Sequence, residues 1–132
     1  MRKLPGFLVV AVAAVACSDS FKPTTETIGG VYELQTLTTD SAGVHRDLVA
    51  AGASLELMLA PGGQVIGELW LPVDTLMAFA DMLGTWTLSG KTVHFTQNVD
   101  TFVRDMDWIA SESGLSADKT FGSVRVRATL KR

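Results

Sequence analysis

The stretch Gly84-Thr85-Trp86-Thr87-Leu88-Ser89-Gly90-Lys91-Thr92-Val93-His94-Phe95-Thr96-Gln97 decides the fold class. Polar and apolar residues alternate on both sides of a Ser-Gly break, the pattern of two half-buried strands joined by a tight hairpin. With Ser89-Gly90 as the loop, Leu88 faces Lys91, Thr87 faces Thr92, Trp86 faces Val93 and Thr85 faces His94. Trp86, Val93 and Phe95 then share one face, and Thr85, Thr87, Thr92, His94 and Thr96 share the other. Aromatic and β-branched cross-strand pairs of this kind stabilise by about 0.2–1 kcal/mol each. A one-residue slip would set Trp86 against polar neighbours, so the register is consistent with itself.

The same period of two runs outward in both directions. At the C-terminal end, Val124, Val126, Ala128 and Leu130 alternate with Ser123, Arg125, Arg127, Thr129 and Lys131. That is a strand with one dry and one wet face, its cations guarding the solvated side. Upstream, Ser54 to Ala60 and Gln64 to Leu71 flank Pro61-Gly62-Gly63, a strong turn signal. Leu55, Leu57 and Leu59 mark the inner face there, and Val65, Leu69 and Leu71 mark it on the return. Trp70 has the parity of Ile66 and Glu68, which places it outside, at a candidate partner surface. Val31 to Thr39 and Val44 to Ala50 form a first pair around Asp40-Ser41-Ala42-Gly43, and Thr101 to Ser111 reads as a further strand.

Asp74 to Leu83 carries two periodicities. Asp74 can cap a helix, with Leu76, Phe79, Ala80 and Leu83 at helical spacing, while Met77, Phe79, Asp81 and Leu83 alternate as in a strand. Ala and Met suit helices better than strands, which favours a short helix. The expected class is therefore all-β: about eight short antiparallel strands in sequential hairpins, an up-and-down barrel or a small sandwich, with one short helix.

The N-terminus sets the compartment. Arg2 and Lys3 precede an apolar run of 13 residues, Leu4 to Ala16, and Cys17 follows as the only cysteine. Two cations, an apolar stretch and a small residue before the cut are the parts of a secretory signal. The run is too short to span a membrane core, which needs about 20 residues. Cleavage elsewhere, with Cys17 incidental, is the plain alternative. Ala14-Val15-Ala16-Cys17 resembles the bacterial lipobox, with Ala14 where that family usually carries Leu. The resemblance implies cleavage before Cys17, diacylation of its thiol and, in many bacteria, acylation of the new amino group. Two acyl chains anchor stably where one binds only marginally. Ser18, rather than Asp, after the lipidated cysteine implies an outer-membrane anchor facing the periplasm.

On this reading residues 1–16 are a signal peptide, 17–27 a lipidated cysteine and polar tether, and 28–132 the domain. Removing residues 1–16 leaves 116 of the 132 residues, enough for a single core. Nine basic residues then stand against fourteen acidic ones, a net charge of −5, which offers no footprint for nucleic acid. With Cys17 lipidated, no thiol is left for a disulfide, a thiolate metal site or a nucleophile.

Four stretches carry a resemblance: Gly30-Val31-Tyr32-Glu33-Leu34, Leu55-Glu56-Leu57 with Pro61-Gly62-Gly63, Gly84 to Gly90, and Val124 to Arg132. Together they resemble the lipocalin-like (calycin) domains of bacterial lipoproteins, over most of residues 28–132. The resemblance implies an eight-stranded barrel with room for an apolar ligand; it does not imply catalysis. The family's first-strand Gly-x-Trp matches Gly30-Val31-Tyr32 here, with Tyr for Trp. In that family the aromatic packs across the closed barrel end against a basic residue of the last strand, which Arg125 or Arg127 would supply.

Side-chain chemistry adds little that is catalytic. Asp40, Ser41 and His45 lie close in one turn, but neighbours in a turn rarely meet the geometry of a triad. Asp100, Asp105 and Asp107 lack the spacing, the glycine and the terminal Glu of a calcium loop, and Arg104 stands among them. No metal site, cofactor or enzyme activity is expected. Tyr32, Trp86, Val93, Phe95 and Phe102 are the candidate lining of a cavity for a small apolar ligand. A barrel of this size can equally be filled by its own side chains. Two functions follow: a lipid-anchored carrier, or a lipid-anchored adaptor or inhibitor that holds an envelope protein.

Overall fold

A computed structural model describes residues 21–132. The expected signal peptide, Cys17 and residues 18–20 of the expected tether lie outside the described residues. The described residues build ten strands: β1 Gly30–Ser41, β2 Val44–Asp47, β3 Ser54–Leu59, β4 Gln64–Val73, β5 Leu76–Asp81, β6 Gly84–Ser89, β7 Thr92–Gln97, β8 Trp108–Ser111, β9 Gly114–Phe121 and β10 Val124–Lys131. Two single-turn helices, α1 Thr25–Ile28 and α2 Phe102–Asp105, complete it. Eight strands close an antiparallel barrel in the order β1-β3-β4-β6-β7-β8-β9-β10, with β10 pairing back onto β1. β2 and β5 are the two extra strands, on β1 and β4 respectively. The all-β barrel expected from the alternation is the fold observed.

Strands of the barrel turn one apolar face inward. Leu55, Leu57 and Leu59 of β3 are buried, as are Val65 and Leu69 of β4, Val93 and Phe95 of β7, and Ala128 and Leu130 of β10. A fully buried Leu, Val or Phe contributes about 1.5–3 kcal/mol relative to leaving it in water. Gly67 of β4 lies against the β3 backbone. Its φ is +156°, and a Cβ there would collide with the Glu56 carbonyl oxygen.

The 74–83 segment corrects the helix expectation, for it is strand β5. Pairs from Val73↔Leu76 through Glu68↔Asp81 to Val65↔Gly84 keep a single register, so β5 and β6 run along one edge of β4. The upper part of β4 carries backbone donors and acceptors that a helix could not pair, and a second strand satisfies them. Asp74, with φ +55°, turns the chain instead of capping a helix. Asp tolerates that left-handed region better than most residues.

Residues 101–111 differ from the expected strand too. Thr101 caps α2 by accepting a hydrogen bond from Val103 N at 3.2 Å. The turn tucks Val103 and Met106 inward together, and the strand begins only at Trp108. In the 84–97 hairpin the loop is Gly90-Lys91 rather than Ser89-Gly90, with Ser89 opposite Thr92 and Trp86 opposite Phe95. Gly90 has φ +61°, as the first central residue of the tight hairpin turn that demands glycine there. The shift is two residues in register, so Trp86, Val93 and Phe95 keep one face. Ordered structure also begins before the boundary expected at Ile28. Thr24 and Thr27 form a reciprocal capping box around α1, and Ile28 is fully buried.

Candidate functional site

The five residues expected to line a cavity belong to the barrel core or pack against it. Tyr32, Trp86, Val93 and Phe95 are all buried within one apolar cluster, and Phe102 packs against its edge from α2. Phe95 and Phe102 each sit 6.5 Å, centroid to centroid, from Trp108. The polar tips are satisfied locally. Tyr32 donates its hydroxyl to Ile28 O at 2.6 Å, Trp86 Nε1 to Ala60 O at 2.9 Å, and Trp108 Nε1 to Val103 O at 3.1 Å. Burial pushes the Tyr32 hydroxyl above the usual phenol value, opposed by the Arg132 guanidinium. Gln97 is the exception inside: its Nε2 donates to Met82 O at 2.8 Å, while its buried Oε1 has no partner.

The basic residue over Tyr32 is neither Arg125 nor Arg127. Arg132, just beyond β10, lies 5.4 Å from the ring centroid and donates to Thr27 O and Gly29 O, tying α1 to the barrel end. Arg125 and Arg127 sit mid-strand on the wet face and cannot reach it. Arg125 binds Asp118 through two bonds, at 2.6 and 3.0 Å, and Arg127 binds Asp40 at 3.1 Å. His45 meets Asp40 at 2.7 Å and His94 meets Asp107 at 3.0 Å, both on the surface. Arg104 spans Asp100 and Asp105 at 2.7 and 3.0 Å. Hydrogen bonding by His45, then by Arg127, holds the Asp40 carboxyl below its ordinary value. Arg125 does the same to Asp118, and Arg104 to Asp105.

The outer face of β1, β3, β4 and β5 is differently built. Cross-strand register aligns Glu33 with Glu56, Glu56 with Glu68, and Glu68 with Asp81, a row of four carboxylates running across four strands. At strand spacing such a row is about 14 Å long. None of the ion pairs among the described residues includes any of the four. On one side of the row Val31 aligns with Met58 and Met58 with Ile66, while Leu83 lies beside Ile66, 63% exposed. On the other side Trp70 faces Phe79, with ring centroids 4.8 Å apart, and Pro72 faces Met77. Trp70 is 38% exposed and Phe79 50% exposed, so the two rings meet at a tilt of 52° and stay open to solvent. Two open hollows flank the acidic row. One, of about 460 Å³, runs from Glu33 and Glu56 to Trp70, and the other, of about 450 Å³, lies between Met58, Ile66 and Leu83.

Sequence reading placed Trp70 outside but missed its partners. Phe79, Met77 and Leu83 stood in the alternation of 77–83, which a strand assignment would have turned outward beside Trp70. The acidic row left no local mark, because its four residues come from four strands. No known protein family matches the chain, and no curated protein does.

Proposed function

We propose that this chain is a lipid-anchored bacterial envelope protein, non-enzymatic, whose filled barrel serves as a scaffold and whose β3–β4–β5 outer face holds a protein partner. The observation that carries the docking role is the solvent-exposed Trp70–Phe79 pair among further exposed apolar side chains. Large exposed aromatics clustered on one face are the usual anchors of protein interfaces, and contiguous apolar patches on a monomer mark interaction sites. The anchoring role rests on the lipobox-like Ala14-Val15-Ala16-Cys17 and the charged-then-apolar run before it.

The test uses the full chain in its own envelope, with a photo-crosslinking residue in place of Ile66. A single defined protein adduct, lost when Trp70→Ala and Phe79→Ser are combined, is the expected result. Adducts to lipid alone, or an adduct indifferent to the double change, would sink the docking role. Cys17→Ser, expected to release the chain from the membrane, tests the anchor separately.

A second reading has one observation in its favour. Gln97 Oε1 lies buried without a donor, as an orienting group for a small apolar ligand inside the barrel would. Native mass spectrometry of the chain purified from its own envelope separates the two. A lipid-like adduct that Gln97→Leu weakens favours the carrier, and a bare mass favours the filled scaffold.

A further inference from the structure

Resting on the docking role above, we propose that β5 is an open sheet edge that accepts an extended, basic polypeptide segment as an added strand. β5 pairs with β4 alone, and no described strand lies on its other side. Met82 N donates to Gly67 O at 3.0 Å, in register with the β4–β5 ladder. Antiparallel pairs alternate in the direction their backbone groups point. Ala80, Ala78 and Leu76 therefore turn N–H and C=O toward β4, and Met77, Phe79 and Asp81 turn theirs to the open edge. The devices that normally blunt such an edge are a lysine, a proline or a bulge. Leu76–Asp81 contains neither lysine nor proline, and its register with β4 is unbroken.

The same three residues set what the added strand must carry, because each ends a row on the outer face. Asp81 ends the acidic row, Phe79 ends the row begun by Trp70, and Met77 lies opposite Pro72. An antiparallel strand added at this edge extends every row by one residue. Opposite Asp81 the favoured residue is Lys or Arg, since the row sets four carboxylates side by side and the described cation in register with it, Lys131, stands at the far end opposite Glu33. Opposite Phe79 it is aromatic or β-branched, and opposite Met77 it is apolar. The occupant reads, from its N-terminus, cation–x–aromatic or β-branched–x–apolar. Main-chain hydrogen bonds supply affinity in strand addition, and alternate side chains supply specificity. A second copy pairing through the same edge brings no cation, since Leu76–Asp81 has none. An anionic lipid surface meets the acidic row with repulsion.

The probe is the capped peptide Thr-Lys-Thr-Val-Thr-Ile-Thr, titrated onto the full chain in neutral detergent. It is compared with a Glu-for-Lys version and with one N-methylated at Val, the residue set against Phe79. The Lys peptide is expected to bind about tenfold more tightly than the Glu peptide. Glu68→Lys should narrow that gap. Asp81→Asn keeps the acceptor for the 2.9 Å bond from Leu83 N, so the turn survives while the charge goes. It should weaken the Lys peptide about threefold. N-methylation should abolish binding. Equal binding of the Lys and Glu peptides, or none of either, overturns the proposal. Tight binding indifferent to N-methylation overturns strand addition while leaving the docking role standing. A concentration-dependent dimer of the chain, dispersed by Phe79→Pro, puts a second copy on the edge and overturns it as well.

Discussion

Two outer faces of one barrel handle charge in opposite ways. Across β9, β10 and the far half of β1, acids and bases meet, Asp118 with Arg125 and Asp40 with Arg127, and the Thr36 and Thr129 hydroxyls share a hydrogen bond at 2.7 Å. Across β3, β4, β5 and the near half of β1, four acids stand in line between apolar rows. Like charges directly opposite one another on a sheet are destabilising, and exposed apolar side chains add nothing to the core. The first face is what solvation and solubility alone would select. The second gives up stability for something other than folding, as the docking role proposed above requires.

Both faces share one interior, and the largest effect comes from breaking that. Trp86→Ala is expected to cost about 3–5 kcal/mol, the range for removing a buried aromatic. It deletes the indole bonded to Ala60 O and leaves a void beside Phe95. Urea titration checks it. A loss below about 1 kcal/mol would mean that the interior is loosely filled and would favour the carrier.

Gly67→Val separates the faces through shape rather than charge. The position combines a φ of +156° with a β3 backbone that leaves no room for a Cβ. Backbone strain and overpacking together predict a loss of about 2–4 kcal/mol. The damage should concentrate in β3, β4 and β5, so hydrogen exchange should quicken there before it does in β9 and β10. Uniform quickening would show the barrel to be one cooperative unit with no separable face.

Charge reversals test the contrast directly, with smaller effects of opposite sign. Glu68→Lys sets a cation between Glu56 and Asp81 and should stabilise by about 0.5–1 kcal/mol. Arg125→Glu, on the balanced face, removes the partner of Asp118, sets a like charge beside it and should destabilise slightly. Chemical denaturation of the two variants side by side is the measurement. If Glu68→Lys destabilises instead, the acidic row is not repulsive and the contrast loses its energetic content.

How much of this could be read from the sequence depends on how far apart its causes lie. The barrel was legible because alternation is local: Leu55-Leu57-Leu59 and Val124-Val126-Ala128-Leu130 each declare a buried face within one strand. The face of Trp86, Val93 and Phe95 survived a misplaced turn because an error of two residues preserves parity. The 74–83 segment misled because Ala and Met carry helical propensity. What decided its strand was the unpaired edge of β4, a tertiary fact. Arg132 over Tyr32 was missed for the same kind of reason. Position along β10 mattered less than reach past its end, and the end of a strand is where sequence reading is weakest. The acidic row and the open edge of β5 needed registers among four strands, so nothing short of the assembled sheet displays them.

The finest test of the contrast is acid titration. Asp118 is held below its ordinary carboxyl value of 3.8 chiefly by its bond to Arg125, Asp105 by Arg104, and Asp40 by His45 and then Arg127. A carboxyl whose value is lower in the folded state binds fewer protons there than in the unfolded chain. Its contribution is fully present above the unfolded value and is lost as pH falls through the folded one. The balanced face should therefore lose stability only below about pH 4. Asp118→Asn removes one of the carboxyls that causes this loss and should flatten the fall in acid, read from urea titrations at successive pH values. A variant that falls as steeply as the parent would show that the Asp118–Arg125 pair adds nothing to the folded state, and would remove the balanced face's side of the contrast.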